Sequence, residues 1–235
     1  MRSVLPVLTY FTFKGFCEYL DDLVAHIDAP RLESLFITFF SAIILDTPQL
    51  VQFISRAPRL KAPKRARVQF LGDIKALVTI FSPTSGQTSF ISGQPETGHG
   101  RIRMSILCRK SDWQVRSLEQ VFTSCLPPLF TLENLSIESD PRWNPVIIEN
   151  TQWLGLLQPF ITVKNIFISR ECIARIALAL QELVGGGRTE VLPNLQNVFL
   201  GAPLMSRLVP PEGIRQFVAT RQGSHSISVS RWHNN

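Results

Sequence analysis

The stretch Leu129-Phe130-Thr131-Leu132-Glu133-Asn134-Leu135-Ser136-Ile137 decides the fold of this 235-residue chain, because versions of it return along the sequence. Its pattern is apolar–x–x–Leu/Val–x–x, followed by apolar residues at alternate positions. Other copies occupy residues 5–13, 29–37, 160–168 and 192–200, with central residues Leu8, Leu32, Val163 and Leu195. Neighbouring central residues are 24 (8 to 32), 31 (132 to 163) and 32 (163 to 195) positions apart. Such a period is typical of a strand and a helix stacked repeatedly into a solenoid.

A helical pattern follows the copies of this repeat. Residues 15–27 carry apolar side chains at steps of three and four, and residues 173–184 do the same before three glycines end the helix. Strands that alternate with helices favour parallel pairing, with the helices covering one side of the sheet. The sequence therefore predicts one α/β domain over residues 1–235, a leucine-rich-repeat-like solenoid with a curved, mostly parallel sheet and helices on its outer face.

The segment between Leu60 and Leu132 departs from the repeat. Residues 68–70, 75–81 and 102–107 are rich in Val, Ile and Phe, which predicts three strands. We expect the last two to pair as an antiparallel hairpin, which makes residues 68–108 an irregular β insertion. Residues 82–100 between them are rich in Gly, Ser, Thr and Pro, and they are expected to form a mobile loop.

Composition excludes several classes of protein. Apolar residues make up 45% of the chain and charged residues 18%, which is too hydrophobic for a disordered protein. The longest nearly apolar run, Leu35–Leu45, is about half of the ~20 residues that span a bilayer, so no membrane segment is expected. The first residues lack the layout of a secretory signal. These features predict an intracellular protein, cytoplasmic or nuclear.

No motif in the sequence favours catalysis. The four histidines and four cysteines are scattered without ligand spacing, so we expect neither a metal site nor a cofactor. Cys172 lies just after a predicted strand end, and a cysteine-dependent hydrolase is one rival hypothesis. A buried structural thiol explains Cys172 better, and the chain is expected not to be an enzyme.

The net charge is +6, and a basic run carries much of it: Arg56, Arg59, Lys61, Lys64, Arg65 and Arg67. Nucleic-acid binding through this 56–67 cluster is the alternative functional hypothesis. The run has no interleaved aromatic residues and no recognised motif, so a solvated surface is the preferred interpretation. An acidic protein partner would also suit it.

A solenoid would present side chains from its strands and from the loops that follow them. Alternation within a strand predicts that Glu133 and Lys164 point away from the helix-covered core. Arg142, Trp143 and Arg170 belong to predicted loops after strands. Trp143 has two interpretations, a binding anchor or a ring that fills a gap between helix and loop. These five residues are the candidate contacts for a protein ligand, whose identity the sequence does not give.

Several phrases of the chain resemble the C-terminal repeat regions of fungal F-box proteins with degenerate leucine-rich repeats. They are densest between residues 112 and 232, and they include 112–137, 148–154, 159–165, 180–184 and 190–193, with 217–222 and 230–232 near the end. The resemblance implies a non-catalytic protein–protein interaction module that corresponds to the substrate-recognition half of a ubiquitin ligase adaptor.

Members of that group begin with an F-box, which docks on the Skp adaptor of a cullin ligase. Residues 1–235 open only a few residues before a repeat, so the F-box is absent from them. Skp–cullin components are therefore expected partners only if an F-box precedes Met1 in the full-length protein. Without a capping unit, we expect residues 4–27 to be the least stable part.

Overall fold

The computed structural model describes residues 2–40, 45–82, 100–108, 110–127, 129–143, 148–185, 191–201, 209–221 and 226–232. The predicted mobile loop, residues 82–100, lies mostly outside these residues. Only its two ends are described, and they meet where the backbone N–H of Ser82 donates to the carbonyl of Gly100 at 2.9 Å.

Each copy of the repeated pattern forms a tight turn that leads into a strand. The central residue donates its backbone N–H to the carbonyl three residues earlier: Leu8 to Leu5 (3.2 Å), Leu32 to Ala29 (3.1 Å), Leu132 to Leu129 (3.1 Å), Val163 to Phe160 (3.4 Å) and Leu195 to Leu192 (3.2 Å). In all five copies the strand begins two residues after the central residue. A sixth turn of this kind, Leu60 to Ala57 at 3.1 Å, lies in the region where the sequence pattern is irregular.

The described residues contain eleven strands: β1 (Ser3–Val4), β2 (Tyr10–Gly15), β3 (Ile27–Asp28), β4 (Ser34–Phe40), β5 (Arg65–Leu71), β6 (Lys75–Phe81), β7 (Arg101–Leu107), β8 (Asn134–Ser139), β9 (Asn165–Ile168), β10 (Asn197–Gly201) and β11 (Ser228–Trp232). Nine of them form one open sheet in the order β11-β10-β9-β8-β5-β6-β7-β4-β2. β1 and β3 pair separately as a short parallel ladder. The large, mostly parallel sheet confirms the prediction at this level.

β6 is the exception in the large sheet. It pairs antiparallel with β5 on one side and with β7 on the other, whereas the other pairs of neighbours in this sheet are parallel. The predicted hairpin of β6 and β7 is confirmed, and so are the three strands of the irregular region. The sequence did not predict that β5 also pairs with β6. As a result, one reversed strand separates two runs of parallel strands.

The part of the chain that the structure describes also contains six α-helices: α1 (Cys17–Ala25), α2 (Pro48–Arg56), α3 (Ser111–Gln120), α4 (Asn150–Leu157), α5 (Arg170–Gly185) and α6 (Glu212–Arg221). The π-helical turn Val121–Cys125 continues α3 and packs on α2, so the helices form one layer from α1 to α6. One hydrophobic core joins this layer to the sheet. Its largest fully buried side chains include Trp153, Phe39, Phe53, Phe70 and Phe160.

The N-terminus of α2 is capped by a side chain of another helix. Thr47 precedes α2 and belongs to a residue type that often caps helices, but its side chain makes no capping hydrogen bond. Asp21 of α1 does so instead, and its Oδ1 accepts from the backbone N–H groups of Gln49 (2.8 Å) and Leu50 (3.0 Å). A carboxylate is favourable at a helix N-terminus because free N–H groups converge there. The cap therefore ties neighbouring helices together.

Main-chain carbonyls connect successive units at the start of their strands. The carbonyl just before a strand accepts two N–H groups from the next unit: Thr9 from Glu33 and Ser34, Glu33 from Gly100 and Arg101, Lys64 from Glu133 and Asn134, Glu133 from Lys164 and Asn165, and Lys164 from Gln196 and Asn197. These bonds measure 2.8–3.1 Å. The contact uses backbone atoms, so it does not depend on which side chains occupy these positions.

Candidate partner-binding surface

One face of the nine-stranded sheet is not packed against the core, and we call it the open face. Strand residues alternate between this face and the helix-covered side. In β4, for example, Leu35, Ile37 and Phe39 are buried in the core, whereas Ser34, Phe36 and Thr38 are partly exposed. Many alternate side chains of the sheet are therefore partly exposed on this face, although Leu77, Thr79, Ser105, Glu138 and Phe167 are buried on it.

A row of short polar side chains crosses the open face at the start of the C-terminal strands. Asn165 Nδ2 donates to Asn134 Oδ1 at 2.8 Å, and Asn197 Nδ2 donates to Asn165 Oδ1 at 2.7 Å. The Ser228 hydroxyl continues the row by donating to Asn197 Oδ1 at 2.5 Å. Each amide bonds the equivalent residue of its neighbour, which holds the strands in one register.

Aromatic side chains occupy the next positions of the open face on β9 and β10. The rings of Phe167 and Phe199 stack with centroids 4.5 Å apart and planes 7° apart. The Trp232 ring meets Phe167 edge-on at 5.6 Å. At the opposite end of the sheet, the rings of Tyr10 and Phe36 lie 4.9 Å apart. Aromatic side chains are enriched in protein-binding surfaces, because they bury a large area at low entropic cost.

Arginines occupy the centre of the open face. The strand register aligns Arg65, Phe81 and Arg101 in one row across β5, β6 and β7. The next row aligns Arg67, Thr79 and Arg103. All four arginines are partly buried. The Arg101 guanidinium lies 5.4 Å from the centre of the Phe81 ring, a cation–π arrangement.

Glu133 and Lys164, two of the predicted contacts, lie together just before β8 and β9, and not within those strands as predicted. Lys64 Nζ approaches Glu133 Oε1 at 2.7 Å, and Lys164 Nζ approaches the same oxygen at 3.8 Å. The hydrogen bond from Lys64 lowers the pKa of the Glu133 carboxyl, and the charges of both lysines act in the same direction. These side chains are between one third and one half exposed. They form a charged rim beside the open face, in which one carboxylate lies between two ammonium groups.

Arg142 and Arg170 are exposed, but they do not lie beside each other in a common loop. The Arg142 guanidinium binds Asp140 two residues away, with Nε–Oδ1 at 3.0 Å and Nη2–Oδ2 at 2.9 Å. This hydrogen bonding lowers the pKa of Asp140 to about 2. Arg170 is not a loop residue as predicted, because α5 begins there, three residues before the predicted start at Ile173.

Trp143 is a core residue, so it is not the exposed contact that the sequence predicted. Only 4% of it is exposed. Its ring stacks on Phe70 at 4.2 Å, and the Trp153 ring meets it edge-on at 6.0 Å. Its Nε1 donates to the buried amide of Gln114 at 2.9 Å. The ring therefore fills the space behind its loop, which is the second of the two interpretations.

The basic run 56–67 is largely paired with carboxylates. Arg56 binds Asp28 at 3.3 Å, Arg59 binds Glu33, and Lys64 binds Glu133. Arg67 binds Glu138 through two hydrogen bonds. Nucleic-acid binding depends on free Lys and Arg side chains, which neutralise phosphates and release the counterions condensed on the nucleic acid. Four of the six cations already have a protein counter-charge, and this weakens the case for a phosphate-binding stripe.

The remaining chemical hypotheses concern buried or unclustered groups. Cys172 is fully buried, and burial raises the pKa of its thiol to about 11, so it is poorly suited to act as a nucleophile. Within the described ranges no three His, Cys, Asp or Glu side chains converge as metal ligands. None of the helices in those ranges is both long enough and apolar enough to cross a bilayer.

The sequence analysis missed Arg101 and Arg103, and it assigned Arg65 and Arg67 to a basic run rather than to a strand, because strand boundaries were placed too late. The predicted strands began at Val68 and Ile102, whereas β5 begins at Arg65 and β7 at Arg101. The strand starts could have been recognised from a pattern that occurs twice, in which one apolar residue lies between two arginines. The middle residues, Ala66 and Ile102, are buried, as alternation within a strand predicts. A strand that starts on a polar residue has a weaker hydrophobic signature.

Comparison of the chain with family models, curated proteins and solved structures gave no match.

Proposed function

We propose that this chain is a leucine-rich-repeat-like solenoid and acts as a non-catalytic protein–protein interaction module that binds its partner on the open face. One observation carries the proposal: the helices pack on one side of a nine-stranded sheet, and the other side presents arginine and aromatic side chains. Such side chains are enriched where proteins bind one another.

The repeated geometry supports the solenoid. Five copies of one turn lead into five strands of the sheet. The backbone carbonyl just before each of the first four of these strands accepts two N–H groups from the strand beside it. Repeat proteins are built in this way, because each unit buries its apolar side against its neighbours. The reversed strand β6 is an insertion within this pattern.

The resemblance to fungal F-box proteins gives the proposal a specific setting. In that setting, the open face would select the substrate of a ubiquitin ligase. A ligase role requires a Skp-binding segment in the full-length protein, and sequencing the gene upstream of Met1 tests for an in-frame F-box. The interaction proposal itself does not depend on that segment.

Site-specific photocrosslinking in cells tests the binding surface. A benzoylphenylalanine at Ser136 samples the open face, and one at Leu178, which is 46% exposed on α5, samples the helix layer as a matched control. We expect protein adducts from position 136 that quantitative mass spectrometry does not find from position 178. Adducts from position 178 alone, or the same adducts from both positions, would contradict the proposal.

A further inference from the structure

The charges on the open face point to the chemical class of its partner. We propose that the open face binds an extended acidic peptide segment, whose carboxylates pair with Arg101 and Arg103 of β7. This inference rests on the proposed function, and it adds the partner's chemistry to it.

Positive charge dominates the centre of the open face. Four arginines occupy two adjacent rows of β5 and β7, separated by the uncharged Phe81 and Thr79 of β6. Glu138 is the carboxylate on the same face of β8, and Arg67 holds it with hydrogen bonds of 2.7 and 2.6 Å. Like charges placed close together on a sheet cost stability. An anionic partner would offset that cost.

Arg101 and Arg103 keep hydrogen-bonding capacity for such a partner. Neither forms an ion pair within the part of the chain that the structure describes. Arg101 is placed by its contact with Phe81. Its Nε is buried and has no acceptor among those residues, so the donors that remain for a partner are its Nη groups. A guanidinium that stacks on a ring still presents N–H donors at its edge, and these suit the two oxygens of a carboxylate.

The spacing of the two arginines favours an extended peptide. They are two residues apart on one strand, so their side chains leave the sheet about 7 Å apart on the same face. Alternate side chains of an extended peptide have the same separation. A segment with carboxylates at positions i and i+2 therefore matches Arg101 and Arg103 without bending. Both arginines are partly buried, which reduces the screening of the ion pairs by salt.

A nucleic acid fits this surface less well than an acidic peptide. Glu33 and Glu133 lie at the start of β4 and β8, and Glu138 lies within β8. A phosphate backbone carries a continuous line of negative charge that would pass close to these carboxylates. A peptide can place separate carboxylates at the arginines and neutral residues elsewhere.

Fluorescence anisotropy with the full chain tests the inference. The probe is a labelled peptide in which Glu alternates with Ser, and the second probe has the same composition with its Glu residues in one block. An oligothymidylate of equal charge is the third probe. Arg101→Gln/Arg103→Gln is the test variant, and Arg116→Gln, at an exposed position of α3, is the charge-matched control.

We expect the alternating peptide to bind more tightly than the block peptide. The double variant should weaken its binding by about tenfold, the size of effect that loss of a well-placed charge pair produces, and Arg116→Gln should not. Circular dichroism checks that both variants are folded. Equal binding of the two peptides, or unchanged affinity in the double variant, overturns the inference. Tighter, arginine-dependent binding of the oligothymidylate overturns it in favour of a nucleic acid.

Failure of the inference is separable from failure of the proposed function. If crosslinks from position 136 identify a partner but the acidic peptide does not bind, the binding surface stands and the acidic chemistry is wrong. If crosslinks come only from position 178, the proposed function fails even when Arg101 and Arg103 bind the acidic peptide.

Discussion

Arg67 of β5 and Glu138 of β8 form a bidentate ion pair on the open face, with Nε–Oε1 at 2.7 Å and Nη2–Oε2 at 2.6 Å. The Glu138 side chain is 9% exposed and that of Arg67 is 40% exposed. Glu138 also accepts a longer hydrogen bond from Gln69 Nε2, at 3.4 Å. The pair thus links β5, in the arginine-rich centre of the sheet, to β8, the first of the C-terminal strands.

We predict that Glu138→Gln lowers the free energy of unfolding by about 1–2 kcal/mol, because it breaks a partly exposed charged pair. It also leaves Arg67 without its counter-charge beside other arginines. Arg67→Gln should cost at least as much, since it leaves the nearly buried Glu138 carboxylate without its counter-charge. Urea unfolding of both single variants and the double variant gives the coupling energy. Additive effects would show that the two side chains do not interact.

The arginine cluster predicts an unusual gain in stability. Arg103→Gln keeps part of the aliphatic stem and removes one of four neighbouring positive charges, so the free energy of unfolding should rise by about 0.2–1 kcal/mol. The gain should be largest at low ionic strength and fade as salt screens the repulsion. Thermal unfolding across a salt series measures both effects. A loss of stability at low salt would indicate that Arg103 has a structural role.

Trp143 should matter for folding. Trp143→Ala is predicted to lower the free energy of unfolding by about 3–5 kcal/mol, as is usual when a buried aromatic ring is lost. Trp143→Phe keeps most of the packing on Phe70 but leaves the buried Gln114 amide oxygen without its donor, at a cost of about 1–3 kcal/mol. Trp113→Phe is the control, because Trp113 is 37% exposed and should change stability by less than about 1 kcal/mol. Equal effects at both positions would contradict the core assignment.

Buried thiols predict a loss of stability in alkali. Burial raises the pKa of Cys172 and Cys108 to about 11 and that of Cys125 to about 12. An unfolded cysteine ionises near pH 8.5, so above this pH the unfolded chain releases protons that the folded chain retains. Stability is therefore kept below about pH 8.5 and falls as pH rises towards 11, by up to about 1.4 kcal/mol per pH unit for each thiol.

Urea unfolding from about pH 8.5 to pH 10.5 measures this slope. In Cys172→Ala the slope should be shallower than in the unsubstituted chain, because one such thiol is gone. Other groups titrate in this range, so the comparison between the two chains is the readout. An unchanged slope would mean that the Cys172 thiol ionises equally well in the folded and unfolded states.

The β2 end of the sheet should open before its centre. β2 pairs with β4 alone, and nearby apolar side chains are exposed, including Val7 at 79%, Tyr19 at 70% and Tyr10 at 56%. A strand at an edge with little burial has a low free energy of local opening. Native-state hydrogen exchange should be faster in β2 and α1 than in β8 and β9. Equal protection across these elements would refute the expectation made for residues 4–27.

The parts of the fold that depend on local pattern were predictable. The Leu132, Val163 and Leu195 turns and the strands that follow them come from apolar spacing within nine residues. Features that depend on partners distant in sequence were not predictable, such as the Asp21 cap of α2 and the position of β6 between β5 and β7. Trp143 remained ambiguous because its partners Phe70 and Gln114 belong to other units.

The candidate surface was predictable only in outline. The sequence indicated that alternate strand residues would face away from the helices. It did not identify Arg101 and Arg103. The strand was recognised by its apolar residues, so its predicted start was Ile102 and its polar positions were not considered. Glu133 and Lys164 were chosen because strand alternation was taken to point them away from the core. Glu133 already has Lys64 Nζ at 2.7 Å and Lys164 Nζ at 3.8 Å. Charge in a sequence does not reveal which cations already have a protein partner.

The carbonyl bonds between successive units have a consequence for how such a chain can change. Because Lys64, Glu133 and Lys164 connect their units through main-chain oxygens, substitution of outward-facing side chains leaves those connections in place. Mutations can thus alter what the sheet recognises while the scaffold persists. In this architecture, binding specificity can change during evolution without a change of fold.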